Sequence, residues 1–346
     1  MKKTKKIRVG NIYIGGDWPI TVQTMTKTDS HNIKETVEQV KRLEKVSADI
    51  VRISIPDMEC VETLRMVKKE TTIPIVADVH FDYKIAIESI KAGADKVRIN
   101  PGNIGSKWKV EEIAKAAKEH GVAIRVGANS GSLKKEYLKK YNGDFAKALV
   151  ESALEEVRIL ESVGFEGIVI ALKSSDVLTT IKANQLISQL VDYPLHLGIT
   201  EAGPSLSGTV KSSVGIGYLL LSGIGDTIRV SLSDNPEKEV MVGRLILRSI
   251  GLEEGVEIIS CPTCSRTEID VIKMAELVFE KTLHIKRKMK IAVMGCVVNG
   301  IGESENADIG IAGVKGGAVI FKNGKITGTF SEKEALEELI RCIEST

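Results

Sequence analysis

Eight times between residue 19 and about residue 250, a short run rich in Val and Ile gives way to an amphipathic stretch of helical period. The strand-like runs span 20–25, 50–54, 75–79, 96–100, 123–127, 167–173, 195–200 and 227–232. Continuous Val/Ile runs of this kind suit strands buried on both faces. In the first intervening stretch Ile33, Val37, Val40 and Leu43 recur at helical spacing, and Gly93, Gly121 and Gly164 stand where helices should stop. Eight near-even βα units in about 230 residues fit a closed (β/α)8 TIM barrel of ordinary size; an open doubly wound sheet is the competitor, and the even repeat favours closure. Residues 7–18 alternate around Gly10 and Gly15-Gly16 like a hairpin that could plug the barrel floor.

The pattern changes after Gly251. A strand at 257–260 and a helix over about 268–283 lead to strands at 290–294, 309–312 and 318–321. Lys322-Asn323-Gly324-Lys325 reads as a hairpin turn, and 332–343 as an amphipathic helix. The expected architecture is α/β: a TIM barrel over 1–250, followed by a small α+β domain over 251–346.

Charges nearly cancel at +2, so the whole molecule carries no general signal for nucleic acid or membrane. The longest apolar run, 214–224, contains glycines and is too short for a membrane span, and the lysine-rich residues 1–6 read as a solvated tail and not a signal peptide. Five cysteines without a secretion signal point to a reducing, cytoplasmic setting, where thiols serve metals or catalysis.

Three of those cysteines are grouped. Cys261 and Cys264 form a C-x-x-C pair, and Cys296 can supply a third thiolate to one metal centre. Iron–sulfur clusters are commonly held by four ligands. Cys60 lies far upstream and Cys342 in the last helix, so three thiolates would leave one iron for a weaker ligand or a substrate. A structural Cys3His zinc site using His284 is the rival reading. Cys60 shares a helical face with Leu64 and Val67, and Cys342 one with Ala335 and Leu339, which makes both core-facing thiols. His31, His120 and His284 show no partner in the sequence and read as surface or packing residues, while His196 lies mid-strand and reads as buried.

Four strands carry an arginine between branched apolar residues: Val51-Arg52-Ile53, Val97-Arg98-Ile99, Ile124-Arg125-Val126 and Ile228-Arg229-Val230, and a fifth ends in Leu172-Lys173. Strand side chains alternate faces, so while Val and Ile meet the helices the cations point inward, near the C-terminal mouth that carries active sites in such barrels. Burying each cation alone costs several kcal/mol. The only acids noted in phase are Asp78 and Glu201, which leaves a deficit that a diphosphate fills with bidentate arginine contacts. Asn100, Asn129 and Ser231 share the inward phase. Lys173 is alternatively a Schiff-base lysine of an aldolase-like barrel. Gly215-Ile216-Gly217 lacks the strand-then-helix setting of a dinucleotide fingerprint.

Over essentially its full length the chain resembles the bacterial 4-hydroxy-3-methylbut-2-enyl diphosphate synthases of the non-mevalonate isoprenoid pathway. The motifs that carry the resemblance are Val22-Gln23-Thr24-Met25, Ala77-Asp78-Val79-His80-Phe81-Asp82-Tyr83, Arg98-Ile99-Asn100-Pro101-Gly102-Asn103-Ile104-Gly105, and the run from Pro194 through Glu201 to Gly203. Two more are Cys261-Pro262-Thr263-Cys264-Ser265-Arg266 and Gly295-Cys296-Val297-Val298-Asn299-Gly300. Ile301 departs from the family's usual proline before Gly302-Glu303.

The resemblance implies a 4Fe–4S enzyme that opens the ring of methylerythritol cyclodiphosphate and removes a hydroxyl, taking single electrons from flavodoxin or ferredoxin. It implies Cys261, Cys264, Cys296 and Glu303 as cluster ligands, with an exchangeable site on the fourth iron. Arg52, Arg98, Arg125, Lys173, Arg229 and Ser231 would hold the diphosphate, and Asp78, His80, Asn100 and Asn129 would line the remaining pocket. Glu201 would sit near the departing oxygen as proton donor. The eighth helix, over about 237–249, returns the chain to the barrel floor and the linker after it is short, so a head-to-tail homodimer, in agreement with the family, places the second domain over a partner's mouth with less strain. A non-catalytic phosphate-binding or cluster-carrying module is the alternative of a different class.

Overall fold

The chain was described from a computed structural model covering residues 1–100, 104–298, 302 and 306–345. It divides into two compact units, Met1–Ile250 and Gly251–Thr346.

In the first unit a hairpin of β1 (Ile7–Val9) and β2 (Ile12–Ile14) precedes the barrel strands. These are β3 (Thr21–Met25), β4 (Ile50–Ser54), β5 (Ile75–Asp78), β6 (Lys96–Arg98), β7 (Ala123–Val126), β8 (Ile168–Ile170), β9 (His196–Leu197) and β10 (Thr227–Ile228). All neighbouring pairs are parallel, in the order β8-β7-β6-β5-β4-β3-β10-β9. A parallel bridge between Ile170 and Leu195 joins the two ends, so the sheet closes as the eightfold repeat predicts.

The packing follows the alternation. Val51, Ile53, Val97, Ile99, Ile124, Val126, Ile228 and Val230 are buried in one cluster with helix residues such as Val40, Leu43 and Leu64. Burying each side chain of this kind contributes about 1.5–3 kcal/mol. The helices that matter below are α1 (Ile33–Lys45), α2 (Cys60–Glu70), α3 (Tyr83–Lys91), α4 (Lys107–His120), α5 (Lys135–Lys140), α6 (Phe145–Ser162), α7 (Val177–Leu190), α8 (Ser205–Leu221) and α9 (Pro236–Ser249). Four of them start on a side-chain cap, from Asn32, Asp82, Asp144 and Asp176.

The hairpin does plug the floor: Val9 and Ile14 form a small buried cluster with Ile50, Val76, Ala123 and Val169. Residues 1–6 differ from the expected solvated tail. The Lys5 amide donates to Asp192 O at 2.7 Å and Thr4 Oγ1 donates to Asp226 at 2.6 Å, so the segment is docked on the barrel. Several strands end sooner than the Val/Ile runs suggest. Lys173 and Arg229 therefore stand just past the regular ladder, where strands of a closed barrel splay at the mouth.

The second unit is a sheet in the order β11 (Val256–Ser260), β12 (Met289–Met294), β13 (Ile309–Val314), β14 (Gly317–Lys322) and β15 (Lys325–Phe330). The first three are parallel and the last two antiparallel. α10 (Val271–Thr282) and α11 (Glu332–Glu344) pack against it through Met274, Val278, Ala335, Leu339 and Ile343. Ser331 and Glu334 close a reciprocal cap at the start of α11. Asn323 and Gly324, both at positive φ, make the turn between β14 and β15.

Candidate active site

Strand register sets the cations side by side. Asp78 pairs across the sheet with Arg98, and Arg98 with Arg125, so three charged side chains stand at one level on β5, β6 and β7. Directly opposed like charges repel, and the Arg98–Arg125 pair is of that kind. Asp78 serves several partners at once: Arg98 at 3.2 Å, Arg52 at 3.6 Å and His80 Nε2 at 3.6 Å. Burial pushes the Asp78 carboxyl up, but Arg52, His80, Arg98 and Arg125 together overcome this and hold it well below the usual carboxylate range. Arg98 also donates to the His80 ring at 2.8 Å.

The remaining cations find little. Arg52 directs Nε and Nη2 at the thioether of Met25, at 3.1 and 2.9 Å, and a thioether is a weak acceptor. Burial brings Arg52 down to about 10, against the pull of Asp78. Arg125 is buried with Nε and Nη1 unpartnered, and Arg229 Nε is unpartnered as well. Burial, then the neighbouring arginines, pushes Arg125 and Lys173 down. A guanidinium keeps its proton at any ordinary pH, so for Arg125 this is an energetic cost borne by the fold and not a loss of charge.

Lys173 bridges in register to Asn129, and its ammonium passes over Gly198, where a Cβ would lie 2.8 Å from Lys173 Nζ and 2.5 Å from Arg229 O. The glycine is what lets Lys173 approach Arg229. Asn100, Asn129 and Ser231 are half-buried, and His80 is exposed. Glu201 is exposed, with its backbone left-handed at φ 51°, and it pairs with none of the described cations. The reading of Glu201 as an in-phase counter-charge is therefore corrected.

The counter-charge comes from elsewhere. Glu239, in the first turn of α9, is buried and lies 3.8 Å from Arg229 and 3.0 Å from Lys27. It also accepts from Thr24 Oγ1 and the Leu232 amide, each at 3.0 Å. Reading strands alone missed it. The available signal was an acid one residue before Val240, on the face that carries Gly243 and Leu247. Among the described residues, the five inward cations thus meet two buried carboxylates, Asp78 and Glu239, and Lys27 draws on the second.

Deeper in the barrel, Lys96 is fully buried with one hydrogen bond, to Gln23 Oε1 at 3.2 Å, and burial pushes its ammonium well down. His196 is fully buried with both ring nitrogens unpartnered, and burial lowers it too. The sequence reading did not single out Lys96; its signal was the two-residue alternation that turns Arg98 inward and turns Lys96 the same way.

In the second unit Cys261 follows β11 and Cys296 follows β12, at the C-terminal ends of adjacent parallel strands. The Gly295 amide donates to Cys261 Sγ at 3.2 Å, and the Cys264 amide to Thr267 Oγ1 at 3.1 Å. Thr263, between the two C-x-x-C cysteines, is left-handed at φ 64°. A Cβ on Gly295 would meet Thr267 at 2.9 Å, so glycine permits this close turn. Cys261 and Cys296 at neighbouring strand ends, with Cys264 on the loop after the first, are the donor type an iron–sulfur cluster takes, and Cys261 already receives a backbone N–H of the kind that tunes cluster sulfurs; the three thiols do not all lie within 4.8 Å of one another. Glu303 lies outside the described residues, as do Asn299, Gly300 and Ile301. The Cys3His zinc reading does not fit: β11 and β12 are parallel, so α10 between them runs back toward the start of β12, and His284 lies at the strand end away from the cysteines. Cys60 is fully buried in the barrel core, and Cys342 is half-buried against the second core.

The comparisons with known proteins agree with this layout. The family description "GcpE TIM-barrel domain" matches residues 4–244, and "GcpE protein C-terminal domain" matches residues 257–345. A relative from Caldanaerobacter subterraneus subsp. tengcongensis is 58% identical over 344 residues, covering 99% of this chain and 97% of its own. Relatives from Caldicellulosiruptor saccharolyticus and Clostridium acetobutylicum are each 54% identical, covering 99% of both chains. All three are named 4-hydroxy-3-methylbut-2-en-1-yl diphosphate synthase (flavodoxin). With a closed eight-stranded barrel, a separate cysteine-bearing sheet unit and full-length identity above one half, the chain belongs to the GcpE family.

Proposed function

We propose that the chain is a reductive isoprenoid-pathway enzyme. It opens the ring of 2-C-methyl-D-erythritol 2,4-cyclodiphosphate and removes a hydroxyl, giving 4-hydroxy-3-methylbut-2-enyl diphosphate. Two electrons and two protons enter, and one water leaves. The observation that carries this reading is the cation excess at the barrel mouth, where Arg125 is buried with two unpartnered donor nitrogens. A diphosphate supplies the missing acceptors, and Arg52, Arg98, Arg125, Lys173, Arg229 and Ser231 bind it. Asp78 holds Arg52 and Arg98 at fixed positions, and Glu239 does the same for Arg229. His80, Asn100 and Asn129 line the pocket around the carbon skeleton.

Cys261, Cys264 and Cys296, with Glu303, would hold a 4Fe–4S cluster. When bound, it supplies single electrons and a Lewis-acidic iron for C–O cleavage. Glu201 stands exposed on the loop after β9 and donates the proton that lets oxygen leave as water. A flavodoxin or ferredoxin delivers the electrons. In the cell the chain works in the reducing cytoplasm, where its thiols stay available to iron.

The test is anaerobic. Purified protein should contain iron and acid-labile sulfide and should consume the cyclodiphosphate only when a one-electron donor is added. Zinc in place of iron, or no reductant-dependent loss of substrate, rejects the reading. The proposed assembly is a head-to-tail homodimer in which one chain's barrel works with its partner's cysteines. Mixing Arg125→Ala with Cys264→Ala should restore part of the activity. No recovery in verified mixed dimers rejects the shared site.

A further inference from the structure

A second group of metal-type donors lies away from the cation cage, on the loops that follow β3 and β4. His31 Nε2 is 2.8 Å from Asp57 Oδ2, and His31 Nδ1 is 2.9 Å from Asp29 Oδ1. Cys60, the first residue of α2, is the third donor. One ligand atom from each of His31, Asp57 and Cys60 lies within 4.8 Å of the others, and among the described residues no other His, Cys, Asp or Glu trio does so. The sequence reading took His31 as partnerless and Cys60 as a packing thiol; folding brings them together.

The donors are held before any ion arrives. Asp57 Oδ1 accepts from the Glu59 and Cys60 amides at 3.0 and 3.1 Å, which leaves Oδ2 to face His31. Asp29 Oδ1 accepts from the His31 amide at 3.0 Å. The first turn of α2 is tied to the loop after β3 by the buried Thr63 hydroxyl, which donates to Ser30 O at 2.7 Å. His31 and Asp57 are about half exposed, so an ion has a path from solvent, while Cys60 closes the inner side.

The ring of His31 has a carboxylate at each nitrogen. That is how a metal-bound histidine is commonly oriented: one N–H held by a carboxylate, the other nitrogen turned to the metal. We propose that His31 Nε2, Asp57 Oδ2 and Cys60 Sγ bind one divalent cation of the zinc class. Asp29 orients His31 through Nδ1–H, and the fourth position is left to water. Mixed nitrogen, oxygen and sulfur donors favour zinc over magnesium or calcium. Binding releases the thiol proton of Cys60 to solvent. Burial first, then Asp57, pushes that thiol up to about 12, and a cation at this point offsets the carboxylate's influence. The bound ion clips the loops after β3 and β4 together at the rim of the barrel. All of its donors belong to the first unit, and it does not depend on the proposed reaction.

The test uses full-length, anaerobically purified holoprotein equilibrated with zinc and dialysed, with metal content and zinc-edge X-ray absorption as readouts. We expect one zinc per chain, coordinated by a single sulfur at about 2.3 Å and by lighter ligands at about 2.0–2.1 Å. Iron content should not change. Affinity should fall at least tenfold in His31→Ala and in Asp57→Asn, both substitutions at exposed side chains, and the sulfur signal should vanish in Cys60→Ala. Zinc that dialyses away from the wild type overturns the proposal. So does equal retention by His31→Ala and Asp57→Asn, or coordination by three sulfurs, which would place the ion among the cluster cysteines.

Discussion

Asp78 touches Arg52, Arg98 and His80, and no second carboxylate joins it on β5, β6 or β7. A lone acid among several guanidinium groups keeps them in place without neutralising them. Both neighbours therefore retain donor capacity for a ligand, because the sulfur of Met25, to which Arg52 donates meanwhile, is only a weak acceptor. Glu201 differs in kind. It is exposed, left-handed at φ 51° and paired with none of the described cations, so it anchors no charge in the cage. Glu201→Gln keeps the shape and removes the acid. Turnover should fall about 10²–10⁴-fold while the substrate's Kd stays within twofold. Steady-state kinetics beside a binding titration measures both, and unchanged turnover removes Glu201 from the reaction.

At the scale of elements, the Val/Ile periodicity made the barrel legible, and the inward arginines followed from the two-residue period of a strand. What strands could not reveal came from helices. Glu239 reaches Arg229 from the first turn of α9, and Glu156 reaches the Gly127 amide at 2.9 Å from the middle of α6. A helical acid on a buried face looks like any other acid until the helix is docked. The His31, Asp57 and Cys60 group was hidden for a related reason: its members sit on the loop after β3, the loop after β4 and the first turn of α2, and meet because β3 and β4 pair side by side.

Glu156 makes a pH prediction. Burial raises its carboxyl to about 8, although the Gly127 amide and Arg98 pull the other way. The folded chain then keeps a proton that the unfolded chain releases above about 4.5, so stability declines from about pH 4.5 to about pH 8 and is level beyond. At about 1.4 kcal/mol per tenfold in proton affinity, the decline is roughly 5 kcal/mol at most. Glu156→Gln mimics the protonated form. Denaturant unfolding at pH 5 and pH 8 should show a smaller loss of stability for the variant than for the wild type, and parallel losses would show that Glu156 is already ionised in the fold. Gly198 carries a second prediction at this scale. In Gly198→Ala the methyl meets Arg229 O and displaces Lys173, costing about 1–3 kcal/mol in unfolding experiments. Affinity for the cyclodiphosphate should fall about tenfold, and an unaltered Kd would remove Lys173 from the binding set.

For the molecule as a whole, a net charge of +2 conceals a strong local imbalance. Surface acids balance the total, while the barrel interior concentrates cations with two buried carboxylates to meet them. On the proposed reading the fold gives up stability to keep an anion site built in advance, and Arg125, buried with two unpartnered nitrogens, bears part of that cost. Replacing such a buried ion with an apolar side chain of similar length commonly stabilises a protein by about 1–4 kcal/mol. The decisive measurement is therefore thermal unfolding of wild type and Arg125→Met, each with and without the cyclodiphosphate. Without ligand the variant should melt higher than the wild type; with ligand the wild type should gain stability and the variant almost none. A variant that melts lower when unliganded, yet gains as much from the cyclodiphosphate as the wild type, would mean that the inward arginines hold the barrel together and do not await an anion.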